Sequence, residues 1–175
     1  MKTTLIIDSG NYPEHLDISR LLCAEIIRRG STCTVMDMNQ PGLQLHEKFY
    51  AIENTCPDWI ITFDFAGFEC RNGMGDVALN RLSCRMVHLL LKQPGEKSIL
   101  KEEKFNYSMY FVVATDAYRH QLENNETIAH IHTLSELPEL LANKDGENSD
   151  SVSGILQKLW NITEMSMDFT ECRQL

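Results

Sequence analysis

The chain has no Cys-x-x-Cys pair and no close cysteine/histidine spacing of the zinc-binding kind, so its six cysteines, at 23, 33, 56, 70, 84 and 172, form no metal framework. At 175 residues it can bury roughly 70% of the surface its unfolded form exposes, and it needs no disulfide staples. Free thiols in a reducing cytoplasm are the expectation. No apolar run approaches the ~20 residues of a membrane span, and the opening MKTTLIIDSG is too short an apolar stretch for a signal peptide. Dense basic stretches are missing too: Lys97 to Lys104 is interrupted by Glu102 and Glu103, and 25 acidic against 16 basic residues leave a net charge of −9. Nucleic acid and anionic membrane are therefore not expected partners. There is no internal repeat and no low-complexity tract.

Catalytic and nucleotide fingerprints are equally scarce. The loop DSGNYPEH carries one glycine, which matches neither the dinucleotide GxGxxG pattern nor a P-loop with its lysine. No GxSxG elbow occurs, and no cysteine has a histidine nearby in a nucleophile motif. No cofactor is expected on these grounds.

What is present is α/β patterning over an apolar fraction of 43%. Thr3 to Ile7 reads as a strand ending at Asp8-Ser9-Gly10, and Pro13 opens a helix with Leu16, Leu21, Leu22, Ile26 and Ile27 inward, stopped at Gly30. Thr32 to Met38 is a second strand and Leu43 to Asn54 a second helix. Trp59 to Phe65 is a strand covered on both faces, followed by glycines at 67, 73 and 75. Asp76 is the expected cap of a helix carrying Leu79, Leu82, Met86, Leu89 and Leu90. Tyr107 to Ala114 is the fourth expected strand, Ala117 to Asn124 a short helix and Thr127 to His132 the fifth strand. The alternation predicts a three-layer Rossmann-like or flavodoxin-like domain over 1–143 with a parallel sheet of about five strands. An exposed loop at 144–151 and a C-terminal helix at 152–167, with Val152, Ile155, Leu156, Leu159 and Trp160 on one stripe, complete it.

Ligands in open α/β sheets bind beyond the carboxyl ends of the strands. Asp8, Ser9, Gly10, Asp64, Gly67, Thr115 and Asp116 all stand at such ends. Together they predict a polar cleft for a sugar-like ligand, with carboxylates accepting from hydroxyls and glycine admitting the ligand to the backbone. The same residues also suit helix caps and turns. Arg71 among the glycines of GFECRNGMG offers a phosphate contact or a plain surface connector. His130 and His132 share a strand face without a third ligand, and His88 suits a hydrogen-bonded core histidine on a helix.

The block PDWIITFDFAGFE with NRLSCRMVHLLL, and more loosely TTLIIDSGNYPEHLDISRLLCAEIIRRG, resembles the N-terminal Rossmann-like half of GT-B glycosyltransferase-like proteins. That resemblance covers about half the chain. It implies an acceptor-side binding domain for a sugar or nucleotide sugar, without a complete catalytic site of its own, acting as a fragment, alone, or with a second subunit or as a homodimer. No catalytic residue carries over. The chain also resembles receiver domains, with Asp64 as phosphoacceptor and Thr115 as switch residue, but it lacks their second acid after the first strand and their lysine after the fifth. Flavodoxins share the expected strand order, yet Asp8 and Glu14 would stand against the FMN phosphate. A different reading is a protein–protein interaction module that uses the helix around Trp160.

Overall fold

The computed structural model describes residues 2–8, 13–91, 103–137 and 149–165. Its elements run β1 (Thr3–Asp8), α1 (Pro13–Arg28), β2 (Thr32–Asp37), α2 (Leu45–Thr55), β3 (Trp59–Phe63), a 3-10 turn (Ala78–Arg81), β4 (Arg85–Leu90), β5 (Met109–Val113), α3 (Asp116–Leu122), β6 (His130–Thr133) and α4 (Ser149–Met165). Among the described residues six strands, all parallel, form one sheet in the order β2-β1-β3-β4-β5-β6. The expected α/β class holds, with one strand more than the sequence suggested.

The extra strand is β4. By sequence its residues RMVHLL read as the end of a helix, because Leu79, Leu82, Met86 and Leu89 fall near helical spacing. In the structure five of these six residues are buried on the two faces of the sheet, and such a run carries no period to separate strand from helix. The crossover from β3 to β4 is a chain of turns ending in the 3-10 turn, and Asp76 sits in a hairpin turn rather than on a helix cap.

Alternate strand residues feed two apolar layers. Leu5, Ile7, Ile60, Met86 and Phe111 pack under α2, α3 and the crossover, with Phe49, Ile52, Phe68, Val77 and Leu79. Ile6, Ile61, Phe63, Val87 and Val112 pack under α1 and α4, with Ile18, Leu22, Ile26, Ile155 and Leu159. The α4 stripe thus faces the sheet, and the Trp160 ring lies tilted against Trp59, centroids 5.5 Å apart. Ile27, expected inward on α1, is half exposed; the buried positions are 15, 18, 19, 22, 25 and 26. Arg29 ties α1 to α4 through Ser153 and Gln157. Hydrogen bonding from Arg28, and then Arg29, pulls the neighbouring Glu25 carboxyl down to about 2. No helix among the described residues is long and apolar enough to cross a membrane.

Candidate functional site

The strand order reverses direction between β1 and β3: the chain steps outward to β2, then returns past β1 to β3. Loops on either side of that point leave in opposite directions and open a crevice at the carboxyl ends. Asp8 ends β1 there and Asp64 follows β3.

Asp8 is fully buried and accepts a hydrogen bond from the Ser19 hydroxyl of α1 at 3.2 Å. Asp64 keeps 14% of its side chain accessible. Its Oδ1 accepts from the Leu91 amide at 2.9 Å, its own amide donates to the Leu89 carbonyl, and its Oδ2 lies 3.1 Å from His15 Nε2. The carboxylate therefore fastens the end of β3 to the end of β4 and faces a buried histidine from the first turn of α1. The His15 ring stacks on Phe63 at 5.5 Å.

The backbone here is strained. Asp64 has φ 42° and Phe65 φ 66°, and the Ala66 amide closes back on the Phe63 carbonyl at 2.8 Å. Two successive positive φ values are the mark of a type I′ turn, whose second central residue is by preference glycine. A phenylalanine there costs on the order of 1–2 kcal/mol. Phe65 holds the position through ring contacts with Phe68 at 5.3 Å and Phe111 at 6.3 Å. Strain retained at a strand end beside a buried acid–histidine pair points to use of the site.

The seven residues predicted as a cleft divide into groups. Asp8 and Asp64 lie on neighbouring strands. Ser9 and Gly10 fall outside the described residues. Gly67 is buried at φ +88°, and a Cβ on it would meet Leu79 Cδ1 at 3.3 Å, so this glycine lets the crossover lie close on the sheet rather than admitting a ligand. Thr115 accepts from the Tyr118 amide as the cap of α3, and Asp116 accepts from the Thr133 hydroxyl at 2.9 Å. Both follow β5, two strand spacings or roughly 10 Å from the end of β3. A switch-residue role for Thr115 needs its strand beside β3, and β4 occupies that place.

The glycine loop behaves as a connector. Asn72 Oδ1 accepts from the Met74 and Asp76 amides, the Gly75 amide donates to the Asn72 carbonyl, and Arg71 pairs with Glu103. The Met74, Gly75 and Asp76 amides are thus engaged within the turn and the Arg71 guanidinium by Glu103. Beside it, an open groove of about 540 Å³ runs along α2, lined by Leu45, His46, Tyr50, Glu53, Arg71 and Arg81 among others.

His88 is on a strand, not a helix. It is fully buried, its Nδ1 shares a 2.6 Å hydrogen bond with Thr62 Oγ1, and burial pulls its pKa down to about 3. Phe68 and Phe111 flank the neutral ring. His130 stacks on Tyr110 at 4.4 Å, and burial holds both His130 and His132 below the ordinary histidine range. Among the described residues no group of three metal-ligating side chains comes together.

Sequence reasoning missed His15 and Ser19. A signal was there: positions 15, 18, 19, 22 and 26 form one helical face, and two polar residues on an otherwise apolar inward face stand beside the carboxyl end of the preceding strand. No protein-family model matches this chain, and neither does any curated protein sequence. Among solved structures it is similar to a 4-deoxy-L-threo-5-hexosulose-uronate ketol-isomerase complexed with a tartrate, at 14% identity over 95% of this chain and 78% of that chain; the TM-score of 0.35 is too low to carry an argument.

Proposed function

We propose that the chain is a cytoplasmic binding domain for a small hydroxyl-rich ligand, a sugar or nucleotide sugar, held at the switch point between β1 and β3 in the manner of the acceptor-side half of a GT-B glycosyltransferase. The observation that carries this reading is Asp64, in a strained turn at the switch point: 14% of its side chain is accessible, its Oδ1 is aligned by the Leu91 amide, and its Oδ2 is buried against His15. A carboxylate oxygen so held has a lone pair left to accept from a sugar hydroxyl, and His15 backs the other oxygen.

A thermal-shift panel of nucleotide sugars, free nucleotides, FMN and simple sugars tests the reading. At a hundred times its dissociation constant a ligand stabilises by ~2.7 kcal/mol, a rise of roughly 5–10 °C for a chain of this length. A shift selective for a sugar or nucleotide sugar, abolished by Asp64→Asn and kept by Arg81→Ala, is expected. No shift, or one indifferent to Asp64→Asn, overturns it.

A second reading, a protein-interaction module, is favoured by the apolar side chains left exposed along the groove side: Leu43, Leu45, Tyr50 and Met74. Self-association that Tyr50→Lys abolishes, measured by sedimentation, would support that module over the switch-point site.

A further inference from the structure

We infer that the groove along α2 is a second binding site, for a free α-amino acid with an aromatic or branched apolar side chain. The groove holds about 540 Å³, within the roughly 300–1,000 Å³ of small-molecule sites. Its two walls are fixed before any ligand arrives. On one side α2 is anchored by buried Phe49 and Ile52, and the Cys70 thiol donates to the Leu45 carbonyl at 3.6 Å. On the other, the 3-10 turn is held by the Ala78 amide, which donates to the Cys70 carbonyl at 2.8 Å, and by Asn80, whose side chain donates to the Lys104 carbonyl and accepts from the Asn106 amide.

Two unpaired charges of opposite sign line this groove. Arg71 is closed on Glu103, but neither the Arg81 guanidinium nor the Glu53 carboxylate makes a hydrogen bond or ion pair among the described residues, with each other or with any other group. Glu53 is half-buried, whereas Glu69, the other carboxylate of the lining, is exposed. Glu53 also stands in the last turn of α2, where the helix carbonyls concentrate negative potential and no basic side chain offsets it. That end of the groove suits an ammonium, and the Arg81 fork suits a carboxylate. Tyr50, 61% exposed, and Phe49 supply apolar surface on the same helix wall. A ligand with both charges on neighbouring atoms and an apolar side chain answers all three features. A neutral sugar would leave both charges unanswered, which separates this ligand from the one proposed at the switch point.

The test is a titration of the full chain with L-phenylalanine, followed by amide chemical shifts and calorimetry, beside probes that each lack one feature: phenethylamine without the carboxylate, 3-phenylpropionate without the ammonium, and glycine without the ring. L-Phenylalanine should bind with a dissociation constant of about 1 mM and move the amides of His46, Tyr50, Glu53 and Arg81, while those of Asp8, Asp64 and Leu91 stay in place. Each probe should bind at least about tenfold more weakly. In Arg81→Gln the preference for L-phenylalanine over phenethylamine should vanish, and in Glu53→Gln its preference over 3-phenylpropionate. Both variants should melt with the wild type, since neither side chain has a partner to lose. No shift at about 10 mM L-phenylalanine, shifts centred on the switch point, or an affinity indifferent to Arg81→Gln overturns the inference.

Discussion

Acid should weaken this fold through one residue above the rest, His88. Folded, its pKa is held at about 3 by complete burial; unfolded, it returns to 6.5. Between those two values the unfolded chain binds a proton that the folded chain refuses. Stability is therefore full above the unfolded pKa and declines as pH falls through the window, by about 1.4 kcal/mol per pH unit from this site. Two units below 6.5 the loss is about 2.7 kcal/mol, a large share of a typical domain stability of about 5–15 kcal/mol. The perturbation that isolates it is Thr62→Val with His88→Leu, which removes both partners of the 2.6 Å hydrogen bond at once. Replacing both by apolar groups should leave stability near neutral pH within about 1 kcal/mol of wild type, whereas Thr62→Val alone strands a buried nitrogen and should cost about 1–3 kcal/mol. Urea midpoints measured from about pH 7.5 to about pH 4.5 read the difference, because His130, His132 and the carboxylates titrate alike in both proteins. The double variant should overtake wild type in acid by about 2–3 kcal/mol. Parallel curves for the two proteins would refute the reasoning.

Gly67→Ala places a Cβ 3.3 Å from Leu79 Cδ1 at φ +88° and should cost about 1–3 kcal/mol in a denaturation midpoint. Removing residues 149–175 uncovers the layer that holds Ile6, Ile61 and Phe63; losing buried Val152, Ile155, Leu156 and Leu159 forfeits about 6–12 kcal/mol, so near-ultraviolet circular dichroism should show a chain without fixed packing. Arg71→Ala breaks a partly exposed pair with Glu103 and should change stability by less than about 1 kcal/mol while leaving any sugar-induced thermal shift intact.

The order of the first five elements was legible because each carries its own signal: β-branched runs at 3–7 and 32–38, Pro13 at a helix start, Gly30 at φ +84° at a helix stop. β4 was not, since a strand buried on both faces shows no alternation, and its loss from the count put Thr115 one strand too close to Asp64. The strained turn was invisible for a different reason. Asp-Phe is a poor type I′ sequence, and only the contacts of Phe65 with Phe68 and Phe111, with the Leu91 amide holding Asp64, keep it there. Asp8 and Asp64 were found by their place at strand ends. His15 and Ser19 are hidden to a reading of α1 by its leucines and isoleucines alone: Leu22 and Ile26 do face the sheet, but the face they share runs back through Ile18, Ser19 and His15 rather than through Leu16, Leu21 and Ile27.

Amide chemical-shift mapping of the isotope-labelled chain, titrated with a nucleotide sugar and with the corresponding free sugar, tests the switch-point site most directly. Binding there should move the amides of Asp8, His15, Ser19, Asp64, Phe65 and Leu91 and leave α2 undisturbed. Shifts confined to Leu45, Tyr50 and Arg81 along the groove, or no shifts at all, would contradict the account.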